Sequence, residues 1–358
     1  MNSLLDGLPD TQRRLLADAP PGADLAARPM LAVLSDRREF DGGWVFERKL
    51  DGIRVLAVRD GGRVRLLSRN GNALNRTYPE IIDALARQTC ADFTVDGEIV
   101  AFHRGRTDFA RLQQRIQLTD PDQARTSGVA VTYYLFDLLR LDGQDTTRLP
   151  LRARKSLLRR ALEFRSPLRL TAHRNQGGQE QLDQACARGW EGLIAKRADG
   201  RYVPRRSPDW LKLKCEAGQE LVVGGFTEPA GSRVGFGALL VGYCGDGRLR
   251  YAGKVGTGYD RRLLRDLRGR LDALETKRSP FADEVREQRV HWVRPELVAQ
   301  IGFTEWTRDG KLRHPRFLGL RDDKKPSEVV RERPGGGQRP VQAGATAAGA
   351  NRASGRPV

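Results

Sequence analysis

The sequence predicts an α+β protein of two domains, with mixed, largely antiparallel sheets and helices in the first and a small β-barrel around one helix in the second. Three observations predict it. The 358 residues suit about two domains at ~150 residues each. Residues 28–218 interleave strand-like and helix-like patterns, whereas from about 219 the chain turns to short strands separated by Asp-Gly turns. Hydrophobic residues make up 39% and glycines number 39, a globular composition rather than a disordered or collagen-like one.

Residues 1–27 are polar and Pro-containing and read as an N-terminal arm with a helical turn or two. Residues 53–71 (IRVLAVRDGGRVRLLSRNG) read as a hairpin turning at Asp60-Gly61. In 78–88 (YPEIIDALARQ), Ile81, Ile82 and Leu85 recur at helical spacing, and 92–102 (DFTVDGEIVAF) returns to strand. A buried strand follows at 129–139. An amphipathic helix covers 151–163, with Leu151, Leu157, Leu158 and Leu162 apolar. Residues 191–197 and 209–215 form two more strands, closing a domain predicted over 28–218.

Beyond it, 220–228, 237–256 and 297–313 are short strands with turns at Asp246-Gly247 and Asp309-Gly310, and 259–275 is a helix. Five or so strands around one helix suit an OB-type barrel over 219–330, a frequent nucleic-acid binder. Residues 331–358 carry five arginines, one glutamate, six glycines and no aromatic residue, which predicts a disordered basic tail.

No stretch approaches the ~18 consecutive apolar residues of a membrane helix, and the first residues lack a signal-peptide core. A cytoplasmic, nucleoid-associated protein with no membrane partner is the expectation. The four cysteines (90, 186, 215, 244) lie tens of residues apart without a C-x-x-C pair. That argues against a zinc ribbon or a disulfide framework and for reduced, mostly buried thiols. The net charge of +18 favours a polyanionic partner, most often nucleic acid.

The basic residues carry a finer signal. There are ten lysines (49, 155, 196, 212, 214, 254, 277, 311, 324 and 325) against 53 arginines. A position that keeps Lys in so Arg-rich a chain can need what Arg cannot supply, a side chain that loses its proton and acts as a nucleophile. Lys155, Lys277 and Lys325 read as ordinary surface residues.

Lys49 ends a strand and opens a tight turn, Glu47-Arg-Lys-Leu-Asp-Gly-Ile-Arg54. Ser68-Arg69-Asn70-Gly71 ends the following hairpin, a place where Arg can face phosphate. Asp96-Gly-Glu98 puts a carboxylate inside an apolar strand. Glu191-Gly-Leu-Ile-Ala-Lys196 adds another carboxylate and a second rare lysine. Strict alternation would separate these two onto opposite faces, so either Gly192 marks a bulge or Glu191 precedes the strand. In Trp210-Leu-Lys-Leu-Lys214 the two lysines share a face with Trp210, and the leucines go to the core. Together these segments assemble a nucleophile, hard-oxygen metal ligands (Glu98 and Glu191, suited to Mg²⁺) and phosphate-binding cations on successive strands.

With Arg321-Asp-Asp-Lys324 added, this ordered set resembles the motifs of covalent nucleotidyltransferases, and most of all the ATP-dependent DNA ligases, nearest to the ligase domain of bacterial end-joining enzymes. The resemblance covers roughly 28–326. It implies an adenylation domain followed by an OB-fold barrel, ATP as AMP donor and Mg²⁺ or Mn²⁺ as metal. It also implies three steps: AMP transfer from ATP to Lys49, then to a DNA 5′-phosphate, then attack by a 3′-hydroxyl. Asp51 and Arg54 would join Lys49 in catalysis. Glu47 would contact adenine and Phe136 would stack on it, unless Phe136 is a plain core aromatic. Arg54 and Arg69 would meet phosphates of the nucleotide or the nick. Lys196, Lys212 and Lys214 would complete the nucleotide site, and Arg321 and Lys324 would reach the β,γ-phosphates when the barrel closes.

A free lysine with pKa ~10.4 is neutral in about one molecule per thousand at pH 7.5. Neighbouring cations such as Lys196, Lys212, Lys214 and Mg²⁺ are expected to lower that pKa. The expected substrate is nicked or broken double-stranded DNA, with repair and non-homologous end joining as the setting and Ku and separate end-processing proteins as candidate partners. The competing readings are an RNA ligase or capping-type guanylyltransferase, which share Lys-x-Asp-Gly, and a non-catalytic basic nucleic-acid-binding module. An NAD⁺-using ligase is disfavoured because no four-cysteine zinc module is present.

Overall fold

A computed structural model describes residues 4–333 except Glu216 and Ser232. Two sheets build the N-terminal part. In the larger, the strand order is Ala17–Asp18, Gln144–Asp145, Val131–Leu141, Asp92–His103, Ile53–Asp60 and Arg63–Ser68. In the smaller it is His173–Arg174, Trp44–Arg48, Gly192–Arg197, Arg206–Lys214 and Leu31–Leu34. Pairing is antiparallel apart from Leu168–Leu170 on Val131–Leu141 and Leu31–Leu34 on Arg206–Lys214.

The strand Ile53–Asp60 shows how the layers form. Ile53, Val55 and Ala57 enter a core shared with Ile81 and Leu85 of the helix Pro79–Ala86 and with Leu157 of Leu151–Ala161. Its other face sends Leu56 and Val58 into a cluster with Phe136, Tyr202 and Trp210. A strand buried on both faces reads as nearly continuous hydrophobic sequence, and IRVLAV does. The second cluster brings Trp210 of the smaller sheet against Leu56 and Phe136 of the larger, and the functional cleft opens beside it.

The C-terminal part is the OB barrel. Gly218–Thr227 pairs with Leu239–Gly245, Val290–Val293 and Val298–Gly302, and the last of these pairs with Arg316–Leu320. Phe317 donates its N–H to the Thr257 carbonyl at 2.9 Å, linking that final strand back to the end of Arg248–Val255. The helix Arg261–Asp272 starts where the Asp260 carboxylate accepts the Leu263 N–H at 2.7 Å, and it buries Leu264, Leu267 and Leu271 in the barrel core.

Several expectations need correction. The first hairpin turns on Gly61-Gly62, because Asp60 pairs with Arg63. The arm carries its two short helical turns, Asp10–Arg13 and Gly22–Ala26, but its described residues pack on the domain: Leu5 and Ala26 are buried, and Ala17–Asp18 extends the larger sheet, since its leucines need apolar cover. Lys155 is buried rather than a surface residue. Cys186 and Cys215 form a disulfide, and Cys90 and Cys244 are half-buried free thiols, so linear spacing hid a pair that the fold brings within 5.3 Å between Cα atoms. The predicted tail begins too early: Arg331–Arg333 are part of the described structure, and 334–358 lie outside the described residues. Among the described residues no helix is long and apolar enough to cross a membrane.

Candidate active site

The turn that carries Lys49 is pinched from two sides. Lys49 donates its N–H to the Gly192 carbonyl at 2.9 Å, and a Cβ on Gly52 would stand 2.2 Å from the Ile99 carbonyl oxygen. Only glycine fits there, so the backbone from 49 to 52 is fixed between two neighbouring strands. Glu191 does precede its strand, which begins at Gly192, and its carboxylate pairs with the Lys49 ammonium.

The electrostatics around Lys49 run opposite to expectation. Burial disfavours its ammonium, but Glu191, then Asp51 and Glu98, outweigh that and raise its pKa. Carboxylates rather than cations face this nitrogen because Lys196, Lys212 and Lys214 are each engaged elsewhere. The same enclosure pushes Asp51 up to about 6, through burial and then Glu191, and Glu98 up to about 7, through burial against the pull of Arg54, Arg321 and Lys49.

Deeper in the cleft, Glu47 is held by two ammoniums, Lys155 and Lys196, the latter at 2.8 Å. Burial raises the Glu47 carboxyl, but the two lysines outweigh it and leave it below its ordinary value. Burial leads in bringing Lys196 down to about 8, and its Nζ lies 4.1 Å from the ring centroids of both Phe136 and Trp210. Phe136 is buried, yet it lines the cleft as well as the core. Arg54 sits 4.6 Å over the same ring, and its guanidinium is gripped by Asp96 at 2.5 Å twice. Asp96 also accepts from the Tyr202 hydroxyl at 2.6 Å.

The barrel supplies the opposite wall. Arg321 is clamped by Asp323 at 2.8 and 2.9 Å and lies 4.7 Å over the Phe109 ring. Lys324 pairs with Glu220 at 3.0 Å, and Asn70 donates to the Asp323 carbonyl at 2.7 Å. Arg69 lies 3.5 Å from Glu328, while Lys212 and Lys214 both reach Glu332. All thirteen residues singled out in sequence, Glu47, Lys49, Asp51, Arg54, Arg69, Glu98, Phe136, Glu191, Lys196, Lys212, Lys214, Arg321 and Lys324, line one cavity of about 210 Å³.

Sequence reasoning missed Asp96, Lys155, Glu220, Asp323 and Glu332. Asp96 and Asp323 lay inside quoted motifs, and Lys155 was one of the ten rare lysines, so a signal existed for those three. Glu220 and Glu332 carried none.

The cleft can accept a divalent cation. Glu191 Oε2 is buried without a hydrogen-bond partner, and Asp51 and Glu98 are carboxyls whose ionised forms burial disfavours and a cation would favour. Among the described residues no group of three or more His, Cys, Asp and Glu side chains is placed to hold a metal by itself. The fit is therefore to Mg²⁺, which takes one or two carboxylates and completes its shell with phosphate oxygens and water.

Comparison with known proteins adds independent findings. Residues 28–214 match the ATP dependent DNA ligase domain family, and 232–324 match the ATP dependent DNA ligase C terminal region. The multifunctional non-homologous end joining protein LigD of Pseudomonas aeruginosa is 41% identical over 321 residues, covering 86% of this chain and 37% of LigD. DNA ligase C1 of Mycolicibacterium smegmatis is 31% identical over 324 residues, covering 84% of this chain and 92% of that ligase. A solved structure of mycobacterial DNA ligase D complexed with ATP and MES superposes with a TM-score of 0.61 at 36% identity, over 86% of this chain and 98% of that one. The chain thus spans about 37% of the length of the LigD proteins it matches.

Proposed function

The chain belongs to the ATP-dependent DNA ligases, and from that premise we propose that it seals 5′-phosphate/3′-hydroxyl breaks in duplex DNA through a lysyl-AMP intermediate on Lys49. The observation that supports this most is the single cleft in which Lys49 faces three carboxylates while lysines and arginines from both domains ring the remaining walls.

In the first step the neutral Lys49 amine attacks the α-phosphorus of ATP, the bond to the β-phosphate oxygen breaks, and pyrophosphate leaves. Glu191, in contact with the ammonium, is placed to accept its proton. Asp51 lies in the same turn and holds the Lys49 charge with Glu191. Glu98 and Glu191 would hold Mg²⁺ or Mn²⁺, which supplies neutralisation of these carboxylates and of charge on the phosphates. Glu47 and Phe136 bind adenine. Arg54 is a positioning residue, because Asp96 holds its guanidinium while its plane covers Phe136. Arg69, Lys196, Lys212, Lys214, Arg321 and Lys324 take phosphate charge, the main protein contribution to phosphoryl transfer. In the second step a DNA 5′-phosphate oxygen displaces Lys49 from AMP. In the third, the 3′-hydroxyl displaces AMP and closes the strand.

The setting we propose is double-strand break repair by end joining, alongside Ku and end-processing proteins, because the LigD relatives carry the end-joining role in their names. The test is direct. Wild type and Lys49→Ala are incubated with α-labelled ATP and Mg²⁺ after pyrophosphate stripping, then run on a denaturing gel. A band confined to wild type that chases onto nicked DNA is expected. A GTP-dependent band, or label surviving Lys49→Ala, overturns the reading. Stimulation by a cognate Ku on broken ends tests the setting.

A further inference from the structure

A strap from the barrel crosses the mouth of the cleft. After the 3₁₀ turn Pro326–Glu328 the chain runs along the barrel, where Val329 is buried against Val222 and Val298 and its carbonyl accepts the Cys244 N–H at 2.7 Å. Gln219 clamps the next turn of chain from both sides. Its amide donates to the Val330 carbonyl at 3.2 Å, and its oxygen accepts the Glu332 N–H at 3.1 Å. The Arg331 guanidinium caps this arrangement, 4.4 Å from the Trp306 ring centroid.

These anchors deliver the Glu332 carboxylate between Lys212 and Lys214, the latter at 3.3 Å. The Glu332 side chain is only 15% exposed, and those of the two lysines 14% and 10%. An ion pair this enclosed does not float in solvent as a surface pair does. Lys212 and Lys214 are also the cations that the ligase reading assigns to the nucleotide phosphates. A phosphate brought beside a buried carboxylate would share two cations among several negative charges at contact distance, so one anion must leave.

We propose that Glu332 is a resident anion of the phosphate subsite, which the triphosphate of ATP must displace, so that this chain's own C-terminal strap sets its affinity for ATP. The proposal rests on the ligase reading of the cleft. Every named anchor of the strap is on the barrel, so the carboxylate enters and leaves the cleft with that domain. The two lysines are thereby satisfied without nucleotide. ATP pays for this in apparent affinity, because a ligand whose competent state is a fraction f of molecules binds with its dissociation constant divided by f.

The experiment uses the full chain stripped of AMP with pyrophosphate. Single-turnover self-adenylation is followed against ATP concentration for wild type, Glu332→Gln and Gln219→Ala. The third protein keeps the carboxylate but unclamps the strap, so the two variants perturb the contact by different routes. Half-saturation should fall about three- to tenfold in both, as for a strap seated in roughly two-thirds to nine-tenths of molecules. The plateau rate of Gln219→Ala should stay within about twofold. Wild-type labelling at Lys49 verifies the ligase reading separately, and its failure removes that reading and the proposal together. Labelling with half-saturation unchanged or raised in both variants overturns the proposal alone, as does a lost plateau, which would make Glu332 a positioning residue for the two lysines.

Discussion

Replacing Glu98 by Gln should stabilise the ligand-free protein while damaging its chemistry. Glu98 projects from the strand Asp92–His103 opposite Arg54 and Tyr134, and enclosure lifts its carboxyl from 4.5 to about 7. A carboxyl that holds its proton more tightly when folded stabilises the fold at low pH, and that contribution is lost as pH rises from about 4.5 through about 7. At ~1.4 kcal/mol per unit, the shift corresponds to roughly 3 kcal/mol of burden at pH 8. The carboxyl opens onto the cleft, where water screens part of this, so about 1–3 kcal/mol is the expected range. Gln carries no charge at any pH and escapes the burden.

The assay is thermal unfolding of metal-free, AMP-free protein between pH 5 and 8.5. Glu98→Gln and wild type should melt together near pH 5. By pH 8 the variant should melt about 2–12 °C higher, at roughly 2–4 °C per kcal/mol. Added Mg²⁺ and ATP should close the gap, because they stabilise only the protein that binds them well. Self-adenylation by the variant should drop about 100-fold or more, as for loss of a metal-orienting group. A gap that does not change with pH, or a variant less stable than wild type at pH 8, would refute the charge-burden argument.

Three further outcomes follow from other contacts. Lys155→Met removes one of the two cations on buried Glu47 and should cost about 3 kcal/mol in urea unfolding, somewhat under the usual loss for a broken buried pair because Lys196 remains; a cost below ~1 kcal/mol would mean that Lys196 alone suffices. Reducing Cys186–Cys215, which spans 29 residues and follows directly on Lys214, should cost about 3–4 kcal/mol of stability. Thiol titration in denaturant should count two free thiols before reduction and four after it. Arg188 lies 5.5 Å from the Trp190 ring without a carboxylate partner among the described residues. Arg188→Ala should therefore flatten the log-affinity against log-salt slope for nicked DNA by about one if it meets a phosphate, and an unchanged slope would exclude it.

Much of the cleft was legible in sequence because Glu47, Arg54, Glu98, Phe136, Lys196, Lys212 and Lys214 sit on strands whose alternation can be counted. Lys212 and Lys214 flank inward-facing Leu213, and Glu191 had to lie off its strand to share a side with Lys196. What stayed hidden were the partners that arrive from far along the chain. Glu332 reaches Lys212 across 120 residues and Asp96 reaches Arg54 across 42, separations at which periodicity carries no information. Lys155 shows a local rule misleading: its helix reads as amphipathic with polar residues outward, yet Lys155 is buried because Glu47 lies under it. Lys155 shares the scarcity of lysine with Lys49 and Lys196, yet it reads in sequence as an ordinary surface residue.

In the proposed mechanism these charges link the barrel to the chemistry. Asp51 and Glu98 come from the first domain and Arg321 from the barrel, and Arg321 draws both carboxyl pKa values down. Moving the barrel away would remove that pull, but it would also open to water two carboxyls whose burial is the first cause of their raised values. With the barrel in place, Arg321 offsets part of what burial costs the ionised forms that a metal needs. The barrel therefore acts on the reacting nitrogen at second hand. Arg321 helps ionise Asp51 and Glu98, while those carboxylates hold Lys49 as an ammonium until a metal and the triphosphate claim them.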